Sequence, residues 1–222
     1  MGIFKKSKDK EKRQFKHQKN VDNSLKILQA TIETLEKHNI EYYLDYGTLI
    51  GAVRERGFIP WDDDMDISLM HESDYNKIPD VLKDIKALGF RIYLSSFEES
   101  IIKVKNNSET VDIKRITFTS KESYRVAKIR NNKFWIFGKG GSTLDIFFKY
   151  KQDNKLTWMA QGKLHSIEKD KLSDELIEID FYHLKCKIPK NYDAYLTSMY
   201  GDWNTPKEDW QYYEHETCLH QD

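Results

Sequence analysis

Cysteine is scarce in this 222-residue chain. Cys186 and Cys218 are too few to staple a fold, which argues for a reducing compartment rather than a disulfide framework. No apolar run is long enough for a signal peptide or a membrane span, so a soluble, cytoplasmic protein is expected. Net charge is also missing: 36 Lys and Arg balance 36 Asp and Glu. No global field then attracts nucleic acid, and none is expected as a partner. The sequence holds no Gly-x-Ser-x-Gly, no Walker A and no dinucleotide fingerprint, which removes nucleophilic hydrolases and the common nucleotide-binding loops. It has no internal repeats and no low-complexity region. What is present is 39% hydrophobic residues with five Trp, thirteen Tyr and eleven Phe, enough for one substantial core in one domain.

The charge that cancels globally is unevenly placed. Residues 1–20 carry eight Lys or Arg and two Asp or Glu, a local +6 that leaves −6 for the remainder. A flexible, solvated segment 1–20 ahead of a catalytic domain 21–222 is expected. Such a segment also suits peripheral contact with anionic lipid at the inner face of the cytoplasmic membrane, with Phe4 and Phe15 as shallow anchors. Met1-Gly2 opens like a myristoylation signal, but Lys6 stands where Ser or Thr is needed.

The acidic excess peaks in Trp61-Asp-Asp-Asp-Met-Asp-Ile-Ser-Leu69, with Asp62, Asp63, Asp64 and Asp66 in five positions. Like charges held this close repel unless a cation lies between them. Hard oxygen ligands select Mg²⁺ or Mn²⁺. Met65, Ile67 and Leu69 alternate with Asp64, Asp66 and Ser68, so Asp64 and Asp66 share one face of a strand, about 7 Å apart. An EF-hand fails, because Ile67 and Ser73 occupy the glycine and glutamate positions. A plain solvated turn fits poorly with the flanking apolar Phe58, Ile59, Pro60 and Trp61. One of Asp62 and Asp63 is expected at the metal or acceptor, the other capping the turn.

Around this cluster the pattern predicts a mixed α/β or α+β chain. Val21, Leu25, Leu28, Ile32 and Leu35 form a helical stripe ending near His38-Asn39. Residues 41–46 read as a strand, Gly47-Thr48 as a turn offering backbone N–H groups to phosphate, and Leu49 to Glu55 as a helix. A helix capped by Ser73 or Asp74 runs to Leu88, with Gly89 as its stop. Strands follow at Phe90–Leu94, Val111–Thr119, Tyr124–Ile129, Thr143–Phe148, Leu176–Phe181 and His183–Ile188, with a hairpin turn at Lys151–Lys155. Asn191 to Tyr200 reads as a helix stopped by Gly201.

The run Tyr43-Leu-Asp-Tyr-Gly-Thr through Trp61-Asp-Asp-Asp-Met-Asp-Ile-Ser-Leu69 resembles the signature of the LicD family, relatives of fukutin and the fukutin-related protein. Thr143-Leu-Asp-Ile-Phe-Phe148 and the closing Ile188-Pro189, Tyr195-Leu196, Tyr200-Gly201-Asp202-Trp203 and Thr205-Pro206 are similar to that family too. The resemblance covers about residues 25 to 215. It implies a nucleotidyltransferase-like fold with flanking helices, as in the DNA polymerase beta superfamily. It implies Asp64, Asp66 and Asp145 as catalytic and metal-binding residues. The activity implied is metal-dependent transfer of phosphocholine or a polyol phosphate from a CDP-linked donor to a glycan hydroxyl, the glycan in some cases lipid-linked. Gly47 and Thr48 would contact phosphate. A nucleotidyltransferase adding NMP, and an inactive glycan- or choline-binding module, are the alternatives.

Further residues carry weaker chemistry. Arg54 either reaches a phosphate or pairs with Glu55. Lys128 and Arg130 share a strand face and suit phosphate charge. Lys139-Gly140-Gly141-Ser142 wraps a phosphate or is a plain loop. Tyr200, Trp203, Trp210, Tyr212 and Tyr213 are core, or a cage for a quaternary ammonium. His215 matches a histidine that follows the family's Thr-Pro motif. With His220 it does not make a zinc motif, since the spacing is one residue long.

Overall fold

The computed structural model describes residues 11–96, 103–106, 109–112, 123–131, 142–160 and 163–208. Helix α1 (Gln18–Lys37) buries Val21, Leu25, Leu28, Ile32 and Leu35, the stripe its sequence predicts. The chain then enters β1 (Tyr42–Leu44), a short helix α2 (Tyr46–Ile50) running into a π-helical turn (Gly51–Glu55), and β2 (Met65–Leu69). A 3₁₀ turn (Glu72–Lys77) leads into α3 (Ile78–Ala87), where Pro79 sits in the first turn and costs no helical hydrogen bond. Gly89, at φ +93, ends this unit.

The remaining strands are β3 (Arg91–Ser96), β4 (Lys103–Asn106), β5 (Glu109–Asp112), β6 (Tyr124–Arg130), β7 (Thr143–Phe147), β8 (Tyr150–Gln152), β9 (Lys155–Ala160), β10 (Lys163–Glu168), β11 (Leu176–Phe181) and β12 (Leu184–Pro189), before helix α4 (Tyr192–Tyr200). Five of them form the central sheet in the order β1-β2-β7-β6-β3. Only the β2–β7 pair is parallel, so the sheet is mixed. Both strands of that pair are apolar on the face carrying Met65, Ile67, Leu144 and Ile146, all fully buried. α1 and α3 cover this side, α1 against β7 and α3 against β3. The opposite face is left for polar side chains. The expected strand 111–119 is described only to Asp112, within the β4–β5 hairpin.

β8, β9 and β10 form an antiparallel meander that turns at Asp153-Asn154, and β11–β12 is a hairpin beside β1. β9 and β10 escape the sequence reading because Lys155-Leu-Thr-Trp-Met-Ala160 is apolar without alternation. On β12, Cys186 is buried, and that burial pushes its thiol up to about 12, so it is unreactive.

The basic N-terminus differs from its expectation over residues 11–17. Phe15 N donates to the Asp62 carbonyl at 2.9 Å, Lys16 N to the Pro60 carbonyl at 2.7 Å, and Gln14 Nε2 to the Trp61 carbonyl at 3.0 Å. The Phe15 ring stacks on Phe58 at 4.2 Å. Phe15 is therefore buried in the core and is no membrane anchor. Phe4 lies outside the described residues. Among the described residues no helix is long and apolar enough to cross a membrane.

Candidate functional site

The Gly-Thr turn is built one residue earlier than expected. The helix starts at Tyr46, because Asp45 caps it at once, its carboxylate accepting from Tyr46 N at 2.8 Å. Tyr46 takes φ +47, a left-handed conformation that swings the chain sharply out of β1. Gly47 allows a close approach: a Cβ there would lie 2.4 Å from Asp62 Oδ2, so the Asp62 carboxylate would have to move. Thr48 is buried, and its hydroxyl accepts from Asp66 N at 2.9 Å. That hydroxyl ties the turn to the aspartate strand, so Thr48 positions the Asp66 backbone. Beyond it, the π-helical turn ends at left-handed Arg56, and a Cβ on Gly51 would sit 2.5 Å from the Gly57 carbonyl.

Parallel pairing of β2 with β7 sets Asp66 beside Asp145 in register, and Asp64 precedes Asp66 by two residues on the same face. Desolvation raises Asp64 well above the carboxylate range, and the charges of Asp62, Asp63 and Asp145 add to it. Asp66 is raised in the same way, by burial first and then by Asp64 and Asp145. Asp145 is raised by burial, against the lowering pull of Lys128, whose ammonium bonds Asp145 Oδ2. The tightest carboxylate group among the described residues is Asp62, Asp63 and Asp64, with oxygens mutually within 4.8 Å. It differs from the expected Asp64–Asp66–Asp145 set, and Asp145 is engaged instead by Lys128. Asp62 Oδ1 accepts from Asp63 N at 2.9 Å, so Asp62 caps the turn. Asp63 pairs with Arg13 at 2.7 Å.

These groups fit a hard divalent cation. All donors are carboxylate oxygens, burial holds their protons tightly and neighbouring carboxylates add to this at Asp64 and Asp66, and Asp145 Oδ1 is buried with no hydrogen-bond partner among the described residues.

Beneath the turn lies a group that the motif reading missed. Asp45, fully buried, accepts from Ser68 Oγ, from Lys149 Nζ at 2.6 Å and from Tyr195 OH at 2.7 Å. Lys149 also bonds Tyr195 OH, and its ammonium lies 4.5–5.6 Å from the ring centres of Trp158, Tyr195, Tyr43 and Tyr46. A lysine between Phe148 and Tyr150, and an aspartate inside Tyr-Tyr-Leu-Asp-Tyr, were the available signals: charges in otherwise apolar runs.

Arg54 bonds Glu55 at 2.7 Å and the Trp203 carbonyl at 2.6 Å. Its fork fastens the segment after α4, and the pairing with Glu55 is the one the sequence offered as the structural alternative. Lys128 likewise clamps Asp145, and Arg130 lies over the Tyr93 ring at 5.6 Å. Trp203 is buried against Tyr192, as core. His215, Trp210, Tyr212, Tyr213 and Lys139 to Gly141 lie outside the described residues.

Residues 39–191 match the family described as "LicD/FKTN/FKRP, nucleotidyltransferase domain". The chain is 47% identical over 66 residues to an uncharacterised protein of Rickettsia typhi, covering 30% of this chain and 21% of that one. It is 49% identical over 57 residues to the lipopolysaccharide cholinephosphotransferase LicD of Haemophilus influenzae, covering 26% of this chain and 21% of the other. The matched stretch thus spans about a fifth of the length of these relatives.

Proposed function

The chain belongs to the LicD family and has its nucleotidyltransferase-like mixed fold, and on that premise we propose that it transfers a substituted phosphate from a CDP-linked donor to a glycan hydroxyl. The observation that carries this reading is the pairing of Asp66 with Asp145 across β2 and β7, with Asp64 on the same face and one Asp145 oxygen unpartnered. Asp64, Asp66 and Asp145 would hold Mg²⁺ or Mn²⁺, which when bound supplies positive charge to the phosphates in the transition state. Asp145 takes the proton from the acceptor hydroxyl as that oxygen bonds to phosphorus. The phosphoanhydride bond breaks and CMP departs with its electrons. Lys128 steadies the Asp145 carboxylate, and Thr48 holds the Asp66 backbone in line. The phosphocholine named for the Haemophilus relative makes CDP-choline the first donor to try, ahead of CDP-ribitol and CDP-glycerol.

³¹P NMR of the protein with Mg²⁺ and each donor, or CTP, tests the reading. Release of CMP from one CDP-alcohol, lost in Asp64→Ala, is expected. Pyrophosphate released from CTP would instead make the protein a nucleotidyltransferase. A metal titration that finds no site would favour the silent glycan- or choline-binding module.

A further inference from the structure

Beyond Asp145 the same sheet face changes sign. Lys128 on β6 stands opposite Asp145, and Tyr93 on β3 stands opposite Lys128, so one row runs Asp66, Asp145, Lys128, Tyr93. Two residues along, Arg91 faces Arg130. Both guanidinium groups lie over the Tyr93 ring, at 5.9 and 5.6 Å, on the face that carries the carboxylates. At about 4.8 Å per strand, Tyr93 is roughly 10 Å from Asp145.

Lys128 is engaged by Asp145. Neither Arg91 nor Arg130 makes a close ion pair with a carboxylate among the described residues, Arg130 acting on Asp145 only as a nearby charge, and Arg130 Nε is buried without a hydrogen-bond partner among them. Like charges directly opposite on paired strands are destabilising. Such a pair, between β6 and the edge strand β3 of the described sheet and beside a half-exposed tyrosine, suits an anion that bridges both forks.

We propose that Arg91, Arg130 and Tyr93 form an acceptor subsite built for a sugar that bears an anionic substituent, a phosphate or a carboxylate. This rests on the transfer reaction proposed above. The Gly47 turn and β1 flank the aspartates on one side, and the arginines flank Asp145 on the other. The donor phosphates belong between the turn and Asp64 with Asp66. The hydroxyl that gives its proton to Asp145 therefore arrives from the arginine side, where the exposed Tyr93 ring offers an apolar face to the sugar.

Calorimetric titration of the full chain with methyl glucoside 6-phosphate, glucuronate, inorganic phosphate and uncharged methyl glucoside tests the subsite. The charged sugars are expected to bind and the uncharged one not. Arg91→Ala and Arg130→Ala should each weaken the charged sugars by about tenfold, and Tyr93→Ala should weaken the sugars but not inorganic phosphate. Unchanged melting temperatures would show that the variants fold. Equal binding by the arginine variants, or displacement of the charged sugars by CDP-choline, would overturn the proposal. CMP release by the unaltered protein is read separately. Arginine-dependent binding without any CMP release would leave the anion site standing and the reaction class lost, and the reverse result would do the opposite.

Discussion

Two lysine–aspartate pairs lie on one face of the central sheet, and they are built oppositely. Lys149 and Asp45 are sealed, with side chains 2% and 0% exposed, and every Asp45 oxygen is engaged. Lys128 and Asp145 are 38% and 7% exposed, and Asp145 Oδ1 has no hydrogen-bond partner among the described residues. A buried ion pair offsets its desolvation only when its remaining lone pairs are satisfied. The first pair meets that condition within the protein, and the second leaves room for something that is not protein. Residue type and pairing are identical in both, so the unmet hydrogen-bonding capacity is what separates framework from site.

The largest effect should come from breaking the sealed pair. Asp45→Ala leaves the Lys149 ammonium buried without its carboxylate, a loss of about 3–5 kcal/mol. A melting temperature lower by about 10 °C, or no soluble protein, is expected. A variant that melts within 2 °C of the unaltered protein would remove the distinction. Asp145→Asn should do the reverse. Turnover should fall by about 10²- to 10⁴-fold while the melting temperature holds or rises, because a repelling charge is gone.

The open site should also register in pH. Folded Asp64, Asp66 and Asp145 hold protons more tightly than the unfolded chain does. Metal-free stability must then fall as pH rises from about 3.9 through their raised values. Asp84, lowered mainly by Lys37, and Asp202, lowered by Thr205, act oppositely and at lower pH. Mg²⁺ should flatten the decline, and urea titrations at several pH values would show it. A slope unaltered by Mg²⁺ would count against the metal site. Smallest is Arg13→Ala. That ion pair is partly exposed and should contribute no more than about 1 kcal/mol, seen as a melting shift of a few degrees.

The open pair was legible in the sequence and the sealed one was not. Alternation around Asp64 and Asp66 announces a carboxylate face, and the family resemblance adds Asp145 to it. The helical stripe of α1 and the strands at β2, β6 and β7 came from the same periodicity. Lys149 and Asp45 are 104 positions apart, and Tyr195 a further 46, so no local pattern links them. Nothing local reveals that Thr48 also meets Asp66 N, or that Arg54, besides pairing with Glu55, reaches the Trp203 carbonyl. The register that brings Tyr93 beside Lys128 is likewise a property of strand order.

The missing Cβ at Gly47 couples two distant letters of the motif, positions 47 and 62. With 2.4 Å between that vacant position and Asp62 Oδ2, alanine at 47 evicts the Asp62 carboxylate, while Gly47→Ala with Asp62→Ala restores the space. The double variant should recover part of the melting temperature lost by the single one. A Cβ at 47 is thus tolerated according to what stands at 62, whereas a smaller side chain at 62 meets no conflict with Gly47.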